Sequence, residues 1–179
     1  MDIRAAAPAD WAAIGELCAD TGALGDPVEP EERAEFAERW TGPYRVLRPG
    51  WTFVAVEGGA VVGYLTGSPD SLGFEEERAR VFKPEPDARH FFPMDFRLEL
   101  WAAHPAHLHM NVAAPHRRRG VGAALLAAFR AALRAAGVGS MHVVCGEAAA
   151  SYWRKAGFSD LRVEEPFAGV RLHAMTRPV

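Results

Sequence analysis

The chain has 179 residues, 49% of them hydrophobic, a formal charge of -3 and two cysteines. That length and apolar content suffice for a single domain over residues 1–179 with a sizeable buried core, and the slightly acidic balance argues against a nucleic-acid or membrane partner. Cys18 and Cys145 lack the spacing of a disulfide framework or a zinc site, no apolar run is long enough to span a bilayer, and Met1-Asp2-Ile3-Arg4 opens no secretory signal, so a cytoplasmic protein is expected.

In chain order, Ile3 to Ala5 reads as a short strand, and Pro8-Ala9-Asp10 opens an amphipathic helix through Trp11, Ile14, Leu17 and Cys18 that ends at Thr21-Gly22. Glu29 to Trp40 reads as a second, charged helix bounded by Pro30 and Gly42-Pro43, with Ala34, Phe36, Ala37 and Trp40 apolar. Thr52 to Glu57 and Ala60 to Gly67 are β-branched and aromatic runs joined by Gly58-Gly59, the signature of a tight hairpin. Ser68 to Ala106 mixes several prolines with Glu75-Glu76-Glu77, read as a solvated helix face, and a strand is expected at Phe96 to Trp101.

The second half is more regular. His107 to Val112 reads as a strand, Gly120 to Ala136 as an alanine-rich helix punctuated by Gly137 and Gly139, and Ser140 to Cys145 as another strand. Ala148 to Ala156 reads as a short helix stopped by Gly157, followed by strands at Leu161 to Glu164 and Val170 to Thr176. The expected class is α/β (α+β mixed sheet), with about seven strands in a mostly antiparallel central sheet, about four flanking helices and no internal repeat.

Asn111 to Ala123, Asn-Val-Ala-Ala-Pro-His-Arg-Arg-Arg-Gly-Val-Gly-Ala, runs from a strand through an arginine- and glycine-rich turn into the long helix. Gly120 and Gly122 let the backbone come close to a phosphate, and the first amides of the helix lack intrahelical partners at the positive end of its dipole. Without the glycines, Arg117 to Arg119 read as a solvated basic patch, an address or a nucleic-acid contact. With them, an anion cradle is the better reading.

Arg117-x-x-Gly120-x-Gly122 in this strand-turn-helix context resembles the acyl-CoA pyrophosphate loop of the GNAT superfamily of N-acetyltransferases. Tyr152-Trp153-Arg154-Lys155-Ala156-Gly157-Phe158 is similar to the superfamily's later helix, usually aromatic-Tyr-x-x-x-Gly-Phe. A narrower stretch, Pro105-Ala106-His107-Leu108-His109-Met110-Asn111-Val112, looks like the acetyltransferase-like domains related to the C-terminal part of protein O-GlcNAcases, which often carry Asp at the position of Asn111. The resemblance implies acetyl-CoA as acyl donor, an amine acceptor, no metal, no nucleic-acid or membrane partner, and a chain compatible with a homodimer. It assigns CoA binding to Met110, Asn111, Val112, Arg117, Arg118, Arg119, Gly120, Val121, Gly122, Ala123 and Tyr152.

Direct transfer to an amine requires that an alkylammonium lose its proton, and His107, His109 and Glu99 are the candidate bases. Period-two alternation puts His107, His109 and Asn111 on one strand face. The resemblance to arylalkylamine N-acetyltransferases, which carry a His-x-His on this strand, is offset by one residue, and a one-residue slip turns side chains to the other face. The alternatives for these histidines are hydrogen-bonded packing, or a metal site for which no third ligand is evident. The departing thiolate needs a proton, a role many relatives give to the motif tyrosine. Trp153 stands there, and indole is no acid near neutrality, so Tyr152 is the candidate. This substitution keeps a second reading open, a non-catalytic acyl-CoA sensor. Acceptor choice is expected in the helices between the twenties and forties and in Ser68 to Ala106.

Overall fold

Gly58 and Gly59 take φ of +59° and +83°, a conformation that side-chain-bearing residues rarely adopt. They join β2 (Thr52–Glu57) to β3 (Ala60–Ser68) in an antiparallel hairpin with Glu57 opposite Ala60, as their glycine pair predicts. The computed structural model describes residues 1–22, 27–82 and 91–179. It divides into two compact units, Met1–Ser68 with His109–Ala132, and Pro69–Leu108 with Leu133–Val179.

In the first unit, β1 (Asp2–Ala5) pairs antiparallel with β2, and β3 adjoins β4 (Ala106–Val112), whose C-terminal half belongs here. Helix α1 (Trp11–Thr21) buries Ile14, Leu17 and Cys18 on one stripe. These residues, with Val54 and Tyr64, form a core to which Phe36 and Trp40 of α2 (Arg33–Leu47) are added. Helix α2 differs from expectation: it begins at Arg33 and runs through Gly42-Pro43 to Leu47. Proline removes one helical hydrogen bond, but Thr41 to Tyr44 are all buried, and that burial outweighs the local stop signal. The alanine-rich helix α5 (Val121–Ala135) buries Val121, Leu125, Leu126 and Phe129, and the Phe129 ring meets Trp51 and Phe53 edge-on at 6.0 and 6.4 Å.

In the second unit, Ala106 and His107 of β4 lie parallel to Met141 and His142 of β5 (Ser140–Gly146). Strand β5 pairs antiparallel with β7 (Val170–Pro178), which pairs antiparallel with β6 (Ser159–Phe167). The Ser68–Ala106 excursion contributes two helices, α3 (Ser71–Val81) and α4 (Met94–Ala103), and its residues 83–90 lie outside the described residues. The described residues thus hold six α-helices instead of about four. The strand expected at Phe96 to Trp101 is part of α4. The correction follows from spacing: Phe96, Leu100 and Trp101 recur at helical intervals and pack with Phe92, Leu172 and Ala174, while Leu98 and Glu99 face solvent. Helix α6 (Glu147–Lys155) ends where Gly157, at φ +86°, turns the chain, and a Cβ there would lie 3.3 Å from the Arg177 guanidinium carbon.

Candidate active site

The arginine–glycine turn is built almost wholly by its own neighbours. Ala113 N–H donates to Val62 O at 3.0 Å, which fastens the end of β4 to β3, and a short 3-10 turn follows over Ala114–His116. Arg117 folds back, its Nε donating to Val112 O at 3.0 Å. Glu57, at the end of β2, takes His116 at 2.8 Å and Arg119 at 3.3 Å. Two of the three arginines therefore brace the turn. Arg118 is exposed at φ +61°, with no bond from its guanidinium among the described residues. After Arg117 the next backbone amide with a partner along the turn is Ala124, bonded to Gly120 O. Among the described residues the amides from Arg118 to Ala123 make no well-aligned backbone bond to another element, at the N-terminus of a 15-residue helix. Gly120 takes φ +83° and has open space where a Cβ would stand.

A residue that the sequence reading did not single out holds this arrangement together. Gly63 on β3 faces the first turn of α5 so closely that a Cβ would lie 3.0 Å from Val121 Cγ1 and 3.4 Å from Asn111 O. Glycine in a strand marks such a close approach, which is the signal that could have found it.

His109 is half-buried, and its Nε2 lies 2.9 Å from the Tyr64 hydroxyl and 3.2 Å from Asn111 Nδ2, while Asn111 Nδ2 donates to the same hydroxyl at 2.9 Å. Alternation along β4 therefore does bring His109 and Asn111 onto one face. The Trp40 ring stacks on the His109 ring, with centroids 5.6 Å apart and planes 19° from parallel. Tyr64 is wholly buried, and that burial first, with Cys18 beside it, pushes its phenol well above the ordinary tyrosine range. Tyr64 was not anticipated as a site residue, although a hydroxyl inside an apolar strand must find a partner.

His107 has a different setting. It is 3% exposed, its Nδ1 lies 2.7 Å from Ser71 Oγ, and Ser71 Oγ in turn donates to Pro105 O at 2.6 Å. Phe74 meets its ring edge-on at 5.0 Å and His142 lies 5.9 Å away. Since the serine's proton goes to the carbonyl, the imidazole is the donor to Ser71, and the ring serves as a hydrogen-bonded packing element of the second unit. Glu99 is exposed on α4. The acidic run departs from the expected solvated face: Glu76 is exposed, but the Glu75 side chain is only 13% exposed and pairs with Arg78 at 2.9 Å within α3. Among the described residues no three His, Cys, Asp or Glu side chains gather as a metal-ligand set, and no helix is long and apolar enough to cross a membrane.

On α6, Trp153 is buried and meets Phe158 edge-on at 5.1 Å, so the residue at the motif tyrosine's position packs the helix. Tyr152 is 37% exposed, its ring lies 5.1 Å from Trp153, and partial burial raises its phenol above the ordinary value. Helix α6 is anchored by His173, which is 2% exposed on β7, with Nδ1 2.7 Å from Asp160 and Nε2 2.9 Å from Glu147.

The arginine–glycine turn opening α5 and the Gly157-Phe158 turn after α6 are the two features that carry the resemblance to a family. The model of the acetyltransferase (GNAT) family matches residues 17–158. The chain belongs to the GNAT acetyltransferase family. Among solved structures, a crystal structure of SsHAT is 25% identical with a TM-score of 0.79, over 99% of this chain and 97% of that one. Ribosomal-protein-alanine N-acetyltransferase from Brucella melitensis is 24% identical with a TM-score of 0.62 over the whole of both chains. A GCN5-related N-acetyltransferase from Kribbella flavida is 24% identical with a TM-score of 0.64, over 99% and 97%. The last two speak for the shared GNAT fold. This GNAT chain is thus an acetyltransferase with a seven-stranded mixed sheet among its described residues, and its motif tyrosine is replaced by a buried tryptophan.

Proposed function

We propose that this GNAT protein is an acetyl-CoA-dependent N-acetyltransferase, acting as one domain over 1–179, in which an amine of a small molecule or protein attacks the thioester directly in a ternary complex. The observation that carries the reading is the run of amides from Arg118 to Ala123 at the N-terminus of α5, immediately downstream of the strand end bearing His109 and Asn111. Those amides fit a pyrophosphate: they converge at a helix N-terminus, Gly120 admits a close approach, and Arg118 adds an exposed cation. The backbone of Met110 to Val112 holds the pantetheine arm in this reading, with Val112 O shared with Arg117.

His109 takes the amine's proton, and this role is supported by its half-buried cluster, where His107 is sealed in packing. Tyr152 supplies a proton to the thiolate, and burial keeps its phenol protonated at neutral pH. The two unpaired cysteines fit a cytoplasmic location. A placement beside the O-GlcNAcase-related domains rests on Pro105 to Val112 alone.

The test is thiol release from acetyl-CoA with a panel of primary amines, arylamines and peptide N-termini. Turnover above the amine-free rate on at least one is expected. Calorimetric binding of acetyl-CoA without release on any amine would overturn the reading in favour of the sensor, which the buried Trp153 at the motif tyrosine's place favours.

A further inference from the structure

Among the described residues Arg118 is the one side-chain-bearing residue at positive φ, at +61°. An arginine there is strained, because its Cβ crowds the backbone in the left-handed region, and such a conformation persists only where the surroundings over-determine it. Both of its neighbours are tied down. On one side Arg117 Nε donates to Val112 O at 3.0 Å, and on the other Arg119 Nη2 donates to Glu57 Oε1 at 3.3 Å, from 62 residues further along the chain. The second oxygen of Glu57 takes His116 Nδ1 at 2.8 Å, with the His116 and Glu57 side chains 23% and 36% exposed. A carboxylate only accepts, so His116 Nδ1 carries the proton, and Nδ1 and Arg119 Nη1, 3.4 Å apart, belong to two donors converging on one acceptor. One carboxylate thus fastens the residues before and after Arg118 to the tip of the β2–β3 hairpin. That tip is itself secured, because Val62 O on β3 accepts from Ala113 N–H.

Glu57 also brings a negative charge to the rim of a turn read as an anion site. By Coulomb's law alone that charge repels a pyrophosphate, so its presence is counterproductive unless it orders the turn. We propose that Glu57 is a positioning residue for the acyl donor: by gripping His116 and Arg119 it holds Arg118 in the left-handed region, so that the amides opening α5 face the pyrophosphate before it arrives. This rests on the reading of the turn as the CoA pyrophosphate site. Arg119 then serves as a brace whose charge Glu57 offsets, and Arg118 is the arginine left to meet the anion. The gain is preorganisation, since the ordering of the turn is complete before binding and does not subtract from the affinity. Glu57 acts on donor binding and leaves the chemical step alone.

The experiment is calorimetry on the full chain with two probes, acetyl-CoA and S-acetylpantetheine, which lacks the pyrophosphate. Glu57→Gln keeps the side chain's shape and removes its charge. It is expected to weaken acetyl-CoA by about fivefold and to leave S-acetylpantetheine unchanged. Unchanged or tighter acetyl-CoA binding, the result of charge removal alone, would overturn the proposal. So would equal weakening of both probes, which would mark a general loosening of the unit. Arg118→Asn supplies the second arm, because asparagine enters the left-handed region more readily than arginine. In that background Glu57→Gln is expected to weaken acetyl-CoA by less than about twofold, and an undiminished loss would sink the link through Arg118. A wild-type protein with no preference for acetyl-CoA over S-acetylpantetheine would instead remove the pyrophosphate reading of the turn, and this inference with it.

Discussion

At Gly63 one missing methyl group decides how closely β3, β4 and α5 approach. An added Cβ would sit 3.0 Å from Val121 Cγ1 and 3.3 Å from Leu125 Cδ1, both in the interior of a packed unit. Gly63→Ala is therefore expected to cost about 1–3 kcal/mol by overpacking, read as a lower denaturation midpoint, and to weaken acetyl-CoA binding because the first turn of α5 must move. Tyr152 tests the proton supply to the leaving group: Tyr152→Phe keeps the ring contact with Trp153 but removes the hydroxyl. If Tyr152 is the acid, kcat is expected to fall by about 100-fold with KM for acetyl-CoA nearly unchanged, in steady-state kinetics with a competent amine. An unchanged kcat would assign that proton to solvent. These residues differ in legibility. The glycine turn and the Gly157 cap announce themselves, because a positive φ restricts residue type locally. Tyr64 and Gly63 look like any strand residues, since their roles depend on partners 45 to 47 residues and more away, such as His109 and Asn111.

At the scale of elements, α6 is tied to two strands by ionisable groups. Asp160 is held below the ordinary carboxylate range mainly by Arg154 and also by His173, and Glu147 is held below it chiefly by His173. A carboxyl whose folded pKa is depressed contributes stability that is present above its unfolded value, about 4, and is lost as pH falls through the folded value. Thermal unfolding is therefore expected to show a melting temperature that declines as pH drops below about 4. Glu147→Gln combined with Asp160→Asn should start from a lower plateau and decline less steeply; an acid slope equal to that of the wild type would show that these carboxyls do not anchor the helix. Element identity was legible wherever periodicity was long, as in α1, α5 and the β2–β3 hairpin. It was misread at Phe96 to Trp101 because six residues rich in aromatic and aliphatic side chains fit either period. Only the packing of Phe96, Leu100 and Trp101 against β7 residues selects the helix. The extension of α2 past Gly42-Pro43 has the same origin: tertiary burial of Thr41 to Tyr44 overrode a local stop.

At the scale of the whole molecule, both cysteines are unpaired, and burial pushes Cys18 up to about 11 and Cys145 up to about 12. With so little thiolate at neutral pH, both are expected to react slowly with a disulfide reagent in the native protein and promptly in denaturant. Thiol counting before and after unfolding checks this; rapid native labelling of both would contradict the burial. The same property keeps the protein's own background low in a thiol-release assay for acetyl transfer. The sequence by itself determined the family and most strands and helices, because turn glycines, helix periodicity and an arginine–glycine motif act over a few neighbouring residues. Tertiary structure alone decided which of two histidines two positions apart is sealed against Ser71 and which meets Tyr64, Asn111 and Trp40. That choice depends on desolvation and hydrogen-bond partners supplied by distant strands and helices, and no local pattern along β4 encodes them.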